Sequence, residues 1–421
     1  MNELLRLIRN DMKPALGVTE PAAIALACAR ARSLSDEPVK HVTVRVNSGI
    51  YKNAFTCGIP GTDKVGNDYS AALGIVCGDW EKGLCVLEIV TDQDVETAAA
   101  MLRAGMVQVQ MDSISSELFI SATVETEHDT CTAIIRGGHT NFCHVEKNGQ
   151  VLLHQEYVPA KETRSPIVNY SLAQIRDFAI NAELEDLQFM QEAYVVNETL
   201  AQAGAQWDRC VITADMILQN GGSLLSQDPR ISAKTLACAA AEARVLGIDK
   251  AAMSITGSGT HGIICTMPID AYCQVLGIDE NRKLRATAIS YLVTMYIKEF
   301  SGKLSAFCGC GIAGGTGLAC ALTYLMGGDK NAMERAISNM AASITGMICT
   351  GGNHCCCLKV ISAVDCALNS ALLAVDGASI GDAHGICGRT PEQTMKNVGL
   401  IADPGMVETE KVIVGIMREK Q

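Results

Sequence analysis

Aromatic side chains are scarce here: Phe, Tyr and Trp make up 4% of a chain that is 48% hydrophobic. Its core must therefore be built from Ala, Ile, Leu, Val, Met and Cys, a palette that suits helices packed at close range. Basic clusters are also missing. Thirty-four Lys and Arg stand against 46 Asp and Glu, for a net charge of −12. Nucleic acid and anionic membrane surfaces reward Lys/Arg patches, so neither is expected as a partner. The opening MNELLRLIRNDMK alternates charge with Leu and Ile and lacks the long apolar centre of a signal peptide. Without such a leader, nineteen cysteines read as free thiols in a reducing, cytoplasmic setting and not as a disulfide framework. Most are expected to serve as small core residues, with three or four carrying chemistry. There is no CxxC motif, short repeat, low-complexity tract or long flexible linker.

Two stretches, 304–328 and 336–358, carry no formal charge and are long enough to span a bilayer. The first is broken by five glycines between Gly309 and Gly317, and the second holds Ser, Thr, Asn and His. Both read as buried interior. The least charged stretches are also where cysteines concentrate.

Periodicity divides the chain into an α+β fold. Residues 1–34 read as two helices separated by KPALGVTEP, the second with Pro21 in its first turn and Glu20 at the positive end of the helix dipole. From His41 the pattern alternates. HVTVRVNSG, GLCVLEIV, ELFISATVETEH, CTAIIRGG, NFCHVEK and QVLLHQEY are strand candidates, with DQDVETAAAMLRAGMVQV a helix between them. Beyond SPIVNYSLAQIRDFAI strand signals nearly vanish, and Met333, Ile337, Met340, Ile344 and Met347 recur at helical steps. The expected architecture is residues 1–165 as a mixed α+β part with an antiparallel sheet, then residues 166–421 as an all-helical part. Contact between the two would create a junction of the kind where pockets form.

The strongest chemical signal is the set Cys308, Cys310, Cys349, Cys355, Cys356 and Cys357. SAFCGCGIAGG sets two cysteines on a glycine-rich turn before a helix, and ICTGGNHCCCLKV sets four within nine residues after another. Glycine allows close backbone approach and offers N–H groups to sulfide or carboxylate. Thiolates in such a setting suit an iron–sulfur cluster, whereas the paired knuckles of a zinc site are absent. Buried free thiols are the competing reading. ALGVTEPAAIALACARA places Thr19 and Glu20 at a helix N-terminus, which serves either a substrate carboxylate or the helix itself. NSGIYKNAFTCGIPGT supplies Lys52 and Asn53 on what reads as a strand-edge turn, and TGSGTHGI supplies His261 without completing a nucleotide-binding fingerprint. IRGGHTNF offers Arg136 and His139 at a strand end, where a lone His is more often structural.

GVTEPAAIALA, YKNAFTCGIPGT, GSGTHGI, FCGCGIAGGTG and GMICTGGNHCCCLK, in this order, resemble the L-cysteine desulfidase family, which is related to the iron–sulfur L-serine dehydratases. The likeness runs from about Leu16 to the last helices, and makes residues 166–421 similar to a serine dehydratase alpha chain. It implies a [4Fe-4S] cluster held by three cysteines with one iron open. The family pattern falls on Cys308, Cys349 and Cys356, with Cys310 a rival for the first. It also implies β-elimination of L-cysteine to sulfide, pyruvate and ammonia, with no pyridoxal lysine. Thr19 and Glu20 would be catalytic, and Lys52, Asn53 and His261 would bind a small amino-acid substrate; a homodimer stays open. Many members read GCTEP, and that Cys is the proposed base. Here Val18 stands in its place and accepts no proton. Cys57 is either a substitute base or a packed thiol, and L-serine dehydration or a non-catalytic amino-acid or metal binder are the alternatives.

Overall fold

The computed structural model describes residues 2–158, 164–302 and 304–420. The chain opens with helix α1 (Glu3–Asp11), the short strand β1 (Lys13–Leu16) and helix α2 (Thr19–Arg32). Strand β2 (His41–Asn47) follows, then helices α3 (Ser48–Ala54), α4 (Gly66–Val76) and α5 (Asp92–Arg103). Strands β3 (Val107–Ser113), β4 (Phe119–Glu125), β5 (Thr130–Arg136), β6 (Phe142–Lys147) and β7 (Gln150–His154) complete a six-stranded sheet in the order β3-β2-β4-β5-β6-β7.

Alternation decides which face of this sheet is covered. Val42, Val44 and Val46 of β2, Ile120, Ala122 and Val124 of β4, and Cys131, Ala133 and Ile135 of β5 are all buried, while the residues between them are not. Helix α2 lies over this face. Every residue of it except Arg30 and Arg32 is buried, because the sheet takes one side and α4 another. Its Ala-rich sequence lets both approach closely.

The helical part runs through α6 (Leu172–Asn181), α7 (Leu184–Leu187), α8 (Gln191–Gln206), α9 (Val211–Gln219) and α10 (Pro229–Leu246). After strand β8 (Ala251–Ser254) come α11 (Gly259–Leu276), α12 (Glu280–Lys298), α13 (Gly315–Leu325), α14 (Lys330–Ile344), α15 (Cys355–Val375), α16 (Pro391–Ala402) and α17 (Val407–Arg418). Its core is rich in Ala, Ile, Leu and Met, and α1 contributes Leu4, Leu5 and Ile8 to it. Among the described residues one helix, α15, is long and apolar enough to cross a bilayer, with 44% of its apolar window buried. It packs against α10, α13 and α14.

The α+β class and the segregation of sheet and helices agree with the sequence reading, and four local expectations do not. GLCVLEIV forms a 3₁₀ segment, Trp80–Cys85, followed by turns; Val86 and Leu87 are buried there without joining the sheet. DQDVETAAAMLRAGMVQV is not one helix. Gly105 takes φ +68°, Met106 N donates to Met101 O and Gly105 N to Leu102 O, a Schellman stop after which the chain can only leave as a strand. That strand, β3, runs parallel to β2 with α3 to α5 as the crossover, while the other pairs in the sheet are antiparallel. NSGIYKNA is helix α3, not a turn. Finally β8, too short to show a period, pairs antiparallel with β1, Lys13 opposite Ser254.

A buried ion pair fastens the last helix to the site-bearing one. Lys52 Nζ of α3 donates to Glu410 Oε2 of α17 at 2.7 Å and to Ser305 O at 2.8 Å, and the Lys52 side chain has no exposure. Stripping one charge from such a pair strands the other in the interior, at a cost of about 3–5 kcal/mol. Glu410→Gln is therefore expected to lower the unfolding free energy in urea by about that much. A Lys52→Met, Glu410→Leu double variant should recover most of the loss.

Candidate active site at the seam between sheet and helices

Two backbone segments carry the cysteines. Phe307 and Ile348 form an isolated antiparallel bridge, in which Cys308 N donates to Met347 O at 3.0 Å and Cys349 N to Ala306 O at 2.6 Å. Residues on either side of a bridged pair share the opposite face, so Cys308 and Cys349 are diagonal neighbours on one face. Immediately after Cys308, a single π turn (Cys310–Gly314) leads into α13, and Cys310 Sγ lies 3.6 Å from Cys308 Sγ. The start of α15 separates the cysteine triplet. Cys355 is exposed, the Cys356 thiol donates to Gly351 O at 3.4 Å, and Cys357 is fully buried in a cluster with Val18, Cys57, Met216 and Cys238.

Lys359 follows Cys356 by three residues on α15, a spacing that puts both on one side of the helix. Its Nζ donates to Thr350 Oγ1 at 2.8 Å. Burial works against the ammonium, yet Cys349, Cys308, Cys356 and Cys310 together raise its pKa. The same neighbourhood acts on the thiols. Donation from the Cys310 thiol brings Cys308 down to about 7 against its burial, helped by Lys359, the Gly311 N–H and Lys52. Cys310 moves well above the ordinary thiol range, because it donates to Cys308 and is buried. Burial, then Cys349, pushes Cys356 up to about 12.

The sheet side of the seam brings Glu20. Val18 is the N-cap of α2, no side chain caps that helix, and Glu20 lies in its first turn. The Thr19 hydroxyl donates to Glu20 Oε2 at 3.1 Å, Asn53 Nδ2 donates to Oε1 at 2.8 Å, and His139 Nε2 stands 3.9 Å from Oε1. Burial raises the Glu20 carboxyl, but His139, Asn53 and Arg244 outweigh it and hold it at about 2. Asn53 also faces the cysteines, its Oδ1 accepting from the Cys349 thiol at 3.8 Å while Gly352 N donates to its carbonyl at 3.0 Å.

His261, in the first turn of α11, hydrogen-bonds Thr256 Oγ1 through Nδ1. Its other edge abuts the cysteine turn, since a Cβ on Gly309 would lie 2.5 Å from His261 Nε2. Burial, with Lys298 and Arg244 nearby, lowers its pKa to about 3, which keeps it neutral. Arg244 closes the group. Its Nη1 donates to Thr260 Oγ1 at 2.9 Å, and its buried Nε has no hydrogen-bond partner among the described residues.

The structure thus gathers Thr19, Glu20, Asn53, His261, Cys308, Cys349 and Cys356 into one region, with Cys310 beside Cys308. Lys52 reaches it by backbone and field only, because its ammonium is committed to Glu410 and Ser305. Cys57 is fully buried and burial pushes its thiol well above the ordinary range, so it fits a packed thiol and not a base. Sequence reasoning passed over Arg244, Lys359 and the partnership of His139 with Glu20. The spacing of Lys359 from Cys356 was the one local signal available.

The donor set suits a cluster. Cys308, Cys310, Cys349 and Cys356 all act on Lys359, and thiols around one space suit a polynuclear group whose irons take one thiolate each. The glycine turn admits no Cβ at 309, and Lys359 opposes the charge that thiolates bring.

The chain is similar to known proteins along most of its length. Residues 81–415 match the sequence family described as serine dehydratase alpha chain. A UPF0597 protein of Clostridium botulinum strain Okra is 39% identical over 426 residues, covering 99% of both chains. UPF0597 proteins of Clostridioides difficile strain 630 and of Caldanaerobacter subterraneus are each 34% identical over 422 residues and 99% of this chain, covering 99% and 98% of their own lengths.

Two outcomes test the site's construction. Gly309→Ala drives a methyl into His261, and overpacking of this kind costs about 1–3 kcal/mol; thermal melts should show the loss, while an unchanged midpoint would contradict the close approach. Glu20 supplies a pH signature. Its folded value of about 2 lies below its ordinary 4.5, so the ionised form stabilises the fold, by about 3 kcal/mol once fully developed. That contribution is complete above pH 4.5 and lost as pH falls toward 2. Urea titrations should show Glu20→Gln less stable than wild type at pH 7, with the gap closing below pH 4.

Proposed function

Because this chain belongs to the family of serine dehydratase alpha chains, we propose that it is an iron–sulfur lyase that carries out β-elimination on L-cysteine, releasing sulfide and an enamine that decays to pyruvate and ammonia. The observation that carries this reading is the convergence of Cys308, Cys310, Cys349 and Cys356 around Lys359, joined through Asn53 to the buried carboxylate of Glu20. Cys308, Cys349 and Cys356 would hold a [4Fe-4S] cluster, which when bound supplies an open Lewis-acidic iron to the substrate.

The remaining roles belong to the chain. Arg244, with its Nε unspent in the interior, offers a donor to the carboxylate of a small amino acid. The Asn53 amide fixes Glu20 relative to Cys349, so the two sides of the seam keep register. Val18, Cys57, Cys238 and Cys357 form an apolar, sulfur-lined wall next to Cys356. Such a wall suits a thiol leaving group and gives a hydroxyl no partner. L-serine dehydration at the same site is the second reading, favoured by the family's description. The free thiols support a reducing, cytoplasmic setting.

Anaerobic reconstitution tests this directly. The protein should turn brown, bind iron and sulfide in cluster stoichiometry, and bleach in air. It should give more pyruvate from L-cysteine than from L-serine, and Cys349→Ala and Cys356→Ala should lose most of the iron. A protein that holds no iron and is unaffected by Cys349→Ala defeats the reading, and iron without pyruvate from either amino acid would leave a binder.

A further inference from the structure

An elimination needs a proton acceptor, and the N-cap of α2 has none, because Val18 is apolar and Cys57 beside it is buried and protonated. His139 is a nitrogen base that the fold brings to this place, half-buried and with its Nε2 inside. It rides on the hairpin between β5 and β6, whose tip is fastened from several sides. Arg136 N donates to Asn141 O at 3.1 Å, Gly137 N to Leu118 O at 3.0 Å, and Asn141 Nδ2 to Arg136 O at 3.0 Å. Gly137 sits at φ +69°, and a Cβ there would lie 2.3 Å from the ring of Tyr157, so this aromatic covers the turn. The imidazole is therefore held in place by a rigid support, its side chain 15% exposed.

Its Nε2 is buried with no hydrogen-bond partner among the described residues. Glu20 Oε1, at 3.9 Å, is too far for a hydrogen bond but close enough to stabilise a cation on the ring. A buried ring nitrogen left unpaired is costly, and such groups persist where function uses them. Glu20 itself is a poor acceptor, since His139, Asn53 and Arg244 together keep it ionised. A carboxylate of this kind beside an imidazole reproduces the orienting and charge-compensating arrangement of a base and its acidic partner. The charges facing the pair are Glu20 from α2 and Arg244 from α10, while Arg136 on the hairpin is turned over the Phe119 ring.

We propose that His139 is the group that accepts the Cα proton in the elimination, with Glu20 stabilising the imidazolium that results, an inference that rests on the lyase reading above. The Cα–H bond breaks and its proton passes to the imidazole. The freed electron pair becomes the Cα–Cβ double bond as the Cβ–S bond breaks, and sulfur leaves as hydrosulfide.

Wild type, His139→Gln and His139→Ala, each anaerobically loaded, decide the matter. Removing a general base is expected to lower kcat about 10²- to 10⁴-fold, with iron content and calorimetric L-cysteine affinity changed less than twofold. The acid limb of the kcat/KM profile should vanish in His139→Gln, and free imidazole should restore part of the activity of His139→Ala, neither of which a merely structural residue would produce. If wild type turns over and His139→Gln keeps kcat within threefold with the same pH profile, the proton-acceptor role is overturned and the lyase reading stands. Loaded wild type that yields no pyruvate overturns both. Should His139→Gln fail to fold, the imidazole rescue of His139→Ala decides alone, and its absence in a folded His139→Ala overturns the role.

Discussion

The ammonium of Lys52, enclosed between the Glu410 carboxylate and the Ser305 carbonyl, is the constraint from which the geometry of the seam follows. A charge with no exposure tolerates no slack, because separating it from its partner leaves both desolvated and unpaired. The three segments that meet at Lys52 are therefore fixed relative to one another. One is α3, whose next residue, Asn53, holds both Glu20 and Cys349. Another is the strand-like stretch leading from Ser305 to Cys308. The third is α17, near the end of the chain. Rotation of α3 by a few degrees would break the ion pair and misplace Asn53 together.

The seam also inverts the protein's overall electrostatics. The chain carries a net charge of −12, yet Arg244, Lys359, Lys298 and Lys52 all act on the cluster cysteines, His261 or Glu20. These basic groups make thiolate and carboxylate charge tolerable at the seam. Neutral His261, pressed on the glycine turn, adds no charge of its own. Because the site draws on α2, α3, the β5–β6 hairpin, α10, α11, the turn before α13 and the start of α15, no single element sets its character.

How much of this was legible in the sequence depends on whether a residue's environment is local. Val42, Val44 and Val46 alternate because one sheet face is covered, and that shows in the residues themselves. The set of six cysteines stood out by spacing and glycine context, the resemblance alone picked Cys308, Cys349 and Cys356 from it, and Thr19, Glu20, Asn53 and His261 stood out by motif. The boundary between α5 and β3 was hidden because VQVQM follows a strong helical pattern and only Gly105 marks the change. Arg244 looked like an ordinary basic residue at a helix C-terminus, and His139 like a turn histidine. Each has a sufficient local explanation, so its second role appears only when distant chain segments are brought together. Glu20 stood out at a helix N-terminus, while its partners His139, Asn53 and Arg244 come from distant segments.

The short pairing of β1 with β8 sets the order in which these pieces can be completed. Ser254 and Lys13, hydrogen-bonded across this pair, are 241 residues apart. A ribosome adding about 5–20 residues per second needs on the order of 10–50 s to supply that partner. Throughout that interval the first strand, which ends at Leu16 just before the turn that delivers Glu20, lacks its β8 partner. The acidic corner of the seam thus waits on a strand made far later, although its residues are among the first to emerge.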